Sequence, residues 1–255
     1  MKIVTFNLRY DNDGDGENRF LFRKGMILDR IEREEPDIIG FQEVLPHMAE
    51  FLRSHLRDYL CVGCGRGVHF DGENNMIAFR TDRFELMSLE TFWLSETPDQ
   101  PGSRYANQSD CPRVCTHVLL RRLPGTQCLH VFNTHLDHVS DEARILGATA
   151  IMKRVQEALS HRPAPVAIMG DMNAEPESGA IATFLNWKGV DLKNETPDFQ
   201  ASYHGFGRHL DHPQIDYIFS HGLKAIAPPV AWSEQTAGKY LSDHKPLCVN
   251  LDFNE

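Results

Sequence analysis

The sequence predicts a mixed α/β fold in which two β-sheets pack together and helices cover their outer faces. Short apolar runs with strand character recur along the chain, and helix-like segments lie between only some of them. From residue 76 to residue 134 the strand candidates follow one another, as in antiparallel meanders. No low-complexity tract, internal repeat or linker divides the 255 residues, so we expect one domain over residues 1–255.

Eight apolar runs are predicted as strands: Ile3–Leu8, Asp37–Phe41, Met76–Arg80, Val114–Leu120, Leu129–Thr134, Val166–Met169, Ile215–Phe219 and Leu247–Leu251. Three segments space their apolar residues as helices do: Phe20–Glu35, His47–Arg57 and Asp141–His161. Pro36 ends the first of these helices, and Ser140 is well placed to cap the third. Two long loops, Glu96–Pro112 and Gln200–Gln214, are candidate walls of a substrate pocket.

Charge and composition exclude some classes of function. The formal net charge of −10 argues against broad attraction to duplex nucleic acid, which usually requires a basic surface. Carboxylates that bind divalent cations add to the same negative count, so the charge disfavours a nuclease without excluding one. No apolar run approaches the ~20 residues that span a bilayer.

The amino-terminal sequence and the cysteines bear on cellular location. The chain enters a strand pattern at Lys2, without the charged and apolar regions of a signal peptide. We therefore expect a cytoplasmic protein with no membrane association and no evident protein partner. Cys61 and Cys64 have zinc-like spacing but lack a matching pair, so all six cysteines are expected to be reduced.

Polar side chains stand at the ends of many of the predicted strands. In Gly170-Asp171-Met172-Asn173, a carboxylate and an amide two residues apart project to the same side of the sheet. Asp171 can accept a proton or orient a water molecule, and Asn173 can donate to that water or to a phosphate oxygen. Other strand ends carry Asn7, Gln42-Glu43, Asn133-Thr134-His135, Asp216 and Ser242-Asp243-His244. Their number suggests one shared site.

The residues alone leave ordinary explanations open. A glutamate at a strand end, such as Glu43, is commonly solvated, and a histidine beside a strand is commonly structural. Asp216, however, interrupts an apolar strand, and a buried aspartate requires a partner, for which His244 is the best candidate. The chain lacks a Gly-x-Ser-x-Gly elbow, a P-loop and a His-Glu-x-x-His zinc pattern. With these three motifs absent, the chemistry left for these residues is that of a metal ion bound by oxygen ligands and acting on a phosphate ester.

Six motifs together resemble the endonuclease/exonuclease/phosphatase superfamily. In family order they are Thr5-Phe6-Asn7, Gly40-Phe41-Gln42-Glu43, Asn133-Thr134-His135, Gly170-Asp171-Met172-Asn173, Ile215-Asp216-Tyr217 and Ser242-Asp243-His244. They extend from residue 5 to residue 244, and the pattern is closest to a poorly characterised bacterial branch. The resemblance implies a four-layer αββα sandwich of two mixed sheets, with the pocket at one end of the sheets.

The resemblance also implies a role for each motif. Glu43 would be the principal Mg²⁺ ligand, with Asn7 and Asp243 near the ion, and Mn²⁺ is an alternative metal. Asp171, oriented by Asn173, would align or deprotonate the attacking water. The remaining roles concern the phosphate: His135 and His244 would contact its oxygens, and Asp216 would hold His244.

Residues outside these motifs are candidates for binding the substrate. Arg113 resembles an arginine that grips phosphate in some branches, and Glu73 occupies the region of a Gly-Glu motif. From the two long loops, Tyr105, Tyr203 and His204 are predicted to contact the substrate.

The function that the resemblance implies is Mg²⁺-dependent hydrolysis of a phosphomonoester or phosphodiester. The substrate would be a small phosphorylated metabolite or a short single-stranded nucleic acid. The alternatives are a nuclease proper, acting on DNA or RNA, and a noncatalytic binding protein that has kept the fold.

Overall fold

The protein is a sandwich of two six-stranded mixed sheets with helices on the outside, as predicted. The computed structural model describes residues 1–209, 211–232, 235–236 and 238–254. In chain order the strands are β1 Lys2–Asn7, β2 Ile38–Val44, β3 Tyr59–Val62, β4 Asn74–Arg80, β5 Phe84–Trp93, β6 Val114–Arg122, β7 Cys128–His135, β8 Val166–Asp171, β9 Lys193–Asn194, β10 Asp216–His221, β11 Leu223–Ala231, β12 Gln235–Thr236, β13 Lys239–Tyr240 and β14 Leu247–Phe253. The helices are α1 Phe20–Glu34, α2 Pro46–His55, α3 Asp141–His161 and α4 Gly179–Leu185, and a 3₁₀ segment covers Asp13–Asn18.

Each large sheet contains one parallel pair of strands among antiparallel neighbours. The first sheet has the order β11-β14-β1-β2-β4-β3, in which β1 and β2 are parallel. The second has the order β5-β6-β7-β8-β10-β9, in which β7 and β8 are parallel. The carboxyl ends of each parallel pair lie at the same edge of their sheet, which is where ligands bind in many α/β folds.

Three layers of apolar side chains hold the sandwich together. Between the sheets, residues such as Ile3 and Ile77 pack against Val131 and Met169. The alternate residues of the same strands face outward, where α1 and α2 cover the first sheet and α3 and α4 cover the second. Strands buried on both faces must be apolar at nearly every position, which explains their continuous apolar runs.

The three predicted helices form close to their expected limits. In α1 the last turn is followed by Glu35 in a left-handed conformation, directly before Pro36. The hydroxyl of Ser140 accepts a hydrogen bond from the Ala143 amide at 3.2 Å, so the predicted cap of α3 is confirmed.

Several short or edge elements were not predicted, among them α4, β3 and β5. In β5 a register shift between Leu86 and Ser88 breaks the alternation of inward and outward residues that predicts a strand. The loop 96–112 contains no helix or strand, as expected. The loop Gln200–Gln214 is likewise without a helix or extended strand in its described residues, and its Leu210 lies outside them.

Candidate active site

The strand ends predicted to share a site meet at one end of the sandwich. In β1 and β2, Asn7 lies opposite Gln42, and in β7 and β8, His135 lies opposite Asp171. Strand β10 runs antiparallel to β8 and begins with Asp216, directly opposite Asp171. Because β1 packs on β8 and β2 packs on β7 across the sandwich, polar groups from both sheets converge.

Two buried amides join the sheets beneath this site. Gln42 donates from Nε2 to Oδ1 of Asn133 at 2.7 Å. Asn133 in turn donates from Nδ2 to the backbone carbonyls of Phe41 and Met76, at 2.8 and 2.9 Å. Both side chains are fully buried, so these hydrogen bonds fix how the two sets of strand ends face each other.

A cavity of about 620 Å³ opens over the strand ends. Its lining is rich in charged and aromatic residues: Arg9, Tyr10, Glu43, Arg66, Glu73, Cys111, Arg113, His135, His138, Arg144, Asp171, Asn173, Glu175, Tyr203, His212, Ile215, Asp243 and His244. Of the predicted site residues, Asn7 and Asp216 contact this lining from below, through Asp171 and His244.

Glu43 reaches the cavity because the backbone of β2 bulges. The pairing of β2 with β4 shifts register between Phe41 and Val44, and Glu43 adopts a positive φ of 61°. Left-handed backbone is costly for a residue with a side chain, and such strain is common at functional sites. The carboxylate of Glu43 accepts from Asn7 Nδ2 at 3.0 Å and from the Tyr10 amide at 2.9 Å.

Asp171 is a buried carboxylate at the end of β8. It accepts hydrogen bonds from Asn7 Nδ2 at 2.9 Å and from the Asn173 amide at 2.9 Å. Burial and the nearby charge of Asp216 raise the pKa of Asp171 to about 7. A carboxylate with that pKa can take up a proton near neutral pH. Gly170 allows β7 to approach here, since a Cβ atom would lie 2.0 Å from the Thr134 carbonyl oxygen.

His244 forms the predicted pair with Asp216. Its Nδ1 lies 2.9 Å from Asp216 Oδ2, and its Nε2 lies 3.6 Å from Asp171 Oδ2. Burial lowers the pKa of His244, but the charges of Asp216 and Asp171 outweigh it and hold that pKa well above its usual value. The imidazole is therefore a cation that can donate from Nε2.

His135 is the opposite case, a neutral imidazole. Burial and the positive charge of Arg113 hold the pKa of His135 well below its usual value. Asn173 donates from Nδ2 to its Nε2 at 2.9 Å, which places the ring hydrogen on Nδ1. His135 Nδ1 is buried and has no hydrogen-bond partner among the described residues. The ring lines the cavity beside Asp171 and Asn173.

Asp243 adds a third carboxylate to the cavity. It accepts from the Ser242 hydroxyl at 3.2 Å, and its Oδ2 lies 3.6 Å from Arg9 Nε. Burial raises the pKa of Asp243, as does the nearby charge of Glu43, while His244 and Arg9 oppose the shift. Carboxylates this close together favour a bound cation.

The side chains present fit a divalent metal. One ligand atom from each of Glu43, His135 and Asp171 lies within 4.8 Å of the others. Carboxylate oxygens are donors that Mg²⁺ and Mn²⁺ prefer, and Asp243 adds another carboxylate. Asn7 turns its Nδ2 toward Glu43 and Asp171, while its Oδ1 accepts from the Arg9 amide. A second such group, formed by Asp171, Asp216 and His244, is less suitable because its histidine and aspartate already form an ion pair.

The far wall of the cavity is basic and contains residues that the sequence did not predict. Arg113, which was predicted, donates from Nη2 to His138 Nδ1 at 2.7 Å. Arg66 forms a 2.7 Å salt bridge with Glu73, the carboxylate of the Gly-Glu region. The unpredicted residues on this wall are Arg66, His138 and Arg144. For His138 the available signal was the polar run from Asn133 to His138.

Of the three loop residues predicted to bind substrate, one reaches the cavity. Tyr203 lines it, with its ring centroid 5.0 Å from that of His244. Tyr105 packs instead against the apolar cluster beneath α3, and its hydroxyl lies 3.4 Å from the Leu146 carbonyl. His204 is buried beside Tyr240 and outside the lining.

Comparison with known proteins agrees with this geometry. The model of the Endonuclease/Exonuclease/phosphatase family matches residues 4–244. The chain belongs to this family. Its members act on phosphate esters, and some act on nucleic acid. The predicted family is therefore confirmed, and family membership supports hydrolase activity.

Solved structures of other family members extend over nearly the same length. One is the endonuclease/exonuclease/phosphatase from Bacteroides vulgatus, with 30% identity, a TM-score of 0.91, and coverage of 99% of this chain and 98% of that one. Another is a mannosyl-6-phosphatase from Bacteroides thetaiotaomicron VPI-5482, with 26% identity, a TM-score of 0.87, and coverage of 99% and 100%. No curated protein matches the chain. Among the described residues, no helix is long and apolar enough to cross a membrane.

Proposed function

We propose that the protein is a metal-dependent phosphoesterase that hydrolyses a small phosphorylated compound, with a short single-stranded nucleic acid as the second candidate. The observation that carries the proposal is the buried Asp171 carboxylate, which shares the Asn7 amide with Glu43 and faces the protonated His244. A potential proton acceptor, a potential metal ligand and a cation thus lie around one point in a cavity.

Each side chain has a distinct part in the proposed reaction. Asp171 accepts the proton of the attacking water, and Asn173 holds the loop that orients this carboxylate. His244 donates from Nε2 to a phosphate oxygen on which negative charge develops, and Asp216 keeps the ring oriented and charged. His135, which lines the cavity next to Asp171, contacts the phosphate.

The metal would be held by Glu43, with Asn7 and Asp243 beside it. A divalent cation bound there supplies Lewis-acid stabilisation of the phosphoryl oxygens. We propose Mg²⁺ as the ion, with Mn²⁺ as a substitute, because the donors are oxygens. A cytoplasmic location and the folding of residues 1–255 as one domain are likewise predictions.

The size and charge of the site favour a small substrate. A cavity of about 620 Å³ is suited to a compact ligand. The net charge of −10 opposes long contact with a polyanion such as duplex DNA. The mannosyl-6-phosphatase relative, 26% identical over its full length, supports a small phosphate ester as the substrate.

A phosphoesterase panel with Mg²⁺ and Mn²⁺ tests the proposal, comparing the wild type with Asp171→Asn. Removing a general base lowers kcat by about 10²- to 10⁴-fold. Equal rates in the two proteins, or no metal-stimulated hydrolysis of any ester, would contradict the proposal. Faster cleavage of oligonucleotides than of small esters, falling steeply with salt, would indicate a nuclease instead.

A further inference from the structure

Arg113 is a buried cation whose donors are only partly used. The residue is 4% exposed, precedes β6, and lines the cavity. Nη2 donates to His138 Nδ1, but neither Nε nor Nη1 has a hydrogen-bond partner among the described residues. Burial lowers the pKa of Arg113, as expected for a cation without a close counter-ion.

The two carboxylates nearest to Arg113 are already engaged. Asp137 lies 3.8 Å from Arg113 Nε, which is beyond hydrogen-bonding distance. The carboxylate oxygens of Asp137 instead accept from the backbone amides of Ser109, Val139 and Ser140, and from the hydroxyl of Ser109. Glu73 is bound by Arg66. Arg113 therefore lines the cavity with two of its donor atoms, Nε and Nη1, unpaired.

The cavity brings this cation close to the proposed reaction centre. Arg113, His135 and Asp171 line the same cavity, and His135 Nε2 lies 3.5 Å from Asp171 Oδ2. A phosphate bound by His135 and His244 would lie in the same cavity as the basic wall of Arg66, Arg113, His138 and Arg144.

We propose that Arg113 makes the site selective for phosphomonoesters over phosphodiesters, an inference that rests on the proposed function of the same site. A monoester has three non-bridging oxygens and a charge of about −2 near neutral pH. A diester has two such oxygens and one negative charge, because its third oxygen carries a second organic group. That esterified oxygen is uncharged and a much weaker acceptor for Arg113, whose buried donors would then stay poorly paired in the complex.

Two esters that differ by one methyl group test this selectivity. The probes are p-nitrophenyl phosphate and methyl p-nitrophenyl phosphate, which share a leaving group. In Arg113→Gln, kcat/KM for the monoester is expected to fall roughly 100-fold, because a charged hydrogen bond is lost, and that for the diester less than about threefold. The change in the ratio of the two constants is the readout, since it cancels their intrinsic reactivities. A merely structural role for Arg113 would lower both constants equally and overturn the proposal.

Two further variants complete the kinetic test. Arg144→Gln is the matched control, because Arg144 also lines the cavity but donates to the backbone carbonyl of Asp137 and to the carboxylate of Asp141. It is expected to change both constants by the same factor. Arg113→Lys keeps the charge and loses the planar fork, so the ratio should change about tenfold, and it replaces Arg113→Gln if that variant does not fold. An unchanged ratio in Arg113→Lys would then overturn the proposal.

A binding experiment is independent of catalysis. Inorganic phosphate and dimethyl phosphate are titrated calorimetrically into the wild type and Arg113→Gln in the presence of EDTA. We expect at least about tenfold weaker phosphate binding in the variant and no change for dimethyl phosphate. Equal phosphate affinities would overturn the inference. If the wild type hydrolyses neither these two esters nor any other ester of the panel with Mg²⁺ or Mn²⁺, the proposed function fails, and this titration alone decides the role of Arg113.

Discussion

Asp216→Asn tests whether the charge of His244 is needed for catalysis, apart from its effect on the stability of the fold. Asp216 is 1% exposed and accepts from His244 Nδ1 at 2.9 Å. Asparagine has nearly the same shape and keeps an oxygen acceptor for Nδ1. The substitution therefore removes the negative charge beside the imidazole and leaves the hydrogen-bond geometry intact.

The expected losses differ for stability and for catalysis. A hydrogen bond to a charged group contributes about 1.5–3 kcal/mol and a neutral one about 0.5–1.5 kcal/mol, so the free energy of unfolding should fall by about 1–2 kcal/mol. The lower end is expected, because the substitution also relieves repulsion between Asp216 and Asp171, which raises the pKa of Asp171. The proposed donor loses the charge that it needs, so kcat should fall by about 10²-fold or more.

The assay combines kcat on the best ester of the panel with urea unfolding at pH 7. Ser220→Ala is the control on the same strand, because the Ser220 hydroxyl donates to Glu195 at 2.6 Å, remote from the cavity lining. It should lower stability by a similar amount and leave kcat unchanged. If Asp216→Asn keeps kcat within about twofold of the wild type, His244 does not act as we propose.

Two further predictions concern the framework of the site, and a third concerns His130, a buried residue of β7 outside the cavity lining. Asn133→Leu should lower the free energy of unfolding by about 2–4 kcal/mol in urea, because buried carbonyls lose their donor; a change below about 0.5 kcal/mol would contradict the inter-sheet role. At Gly170 the φ angle is 152°, and an added Cβ would lie 2.0 Å from the Thr134 carbonyl oxygen. Gly170→Ala should therefore lower the free energy of unfolding by about 2–3 kcal/mol in the same measurement. An unchanged free energy would show that the strands can separate freely. Burial lowers the pKa of His130, so the stability that its neutral form contributes is present above about pH 6.5 and is lost as the pH falls. In His130→Gln the free energy of unfolding should therefore depend less on pH between about pH 7 and pH 5. An unchanged pH dependence of that free energy would refute this prediction.

The part of the site on the strand ends could be predicted from the sequence. A charged or amide side chain that ends a buried strand is costly unless it has a partner, so Asn7, Asp171 and Asp216 were conspicuous among apolar neighbours. Parallel pairing then places such residues at one edge, as observed for Asn7 with Gln42 and for His135 with Asp171. Local pattern and elementary sheet geometry were sufficient here.

Most of the basic wall could not be predicted, because contacts between distant segments form it; Arg113 is the exception. The carboxylate of Asp137 lies 3.8 Å from Arg113 Nε, and Asp137 is fixed by Ser109 in the preceding long loop. Nothing in the local sequence shows that this loop folds back onto α3. For the same reason Tyr105, which was expected to face substrate, packs beneath α3 instead.

The central claim is that a divalent cation and Asp171 act together in this cavity. The most direct measurement is the rate of phosphate-ester hydrolysis by EDTA-treated protein during titration with Mg²⁺, with the wild type and Asp171→Asn side by side. We expect a saturable recovery of activity in the wild type and a response at least about 10²-fold weaker in the variant. Hydrolysis that proceeds at full rate without a metal, or equally well without the Asp171 carboxylate, would contradict it.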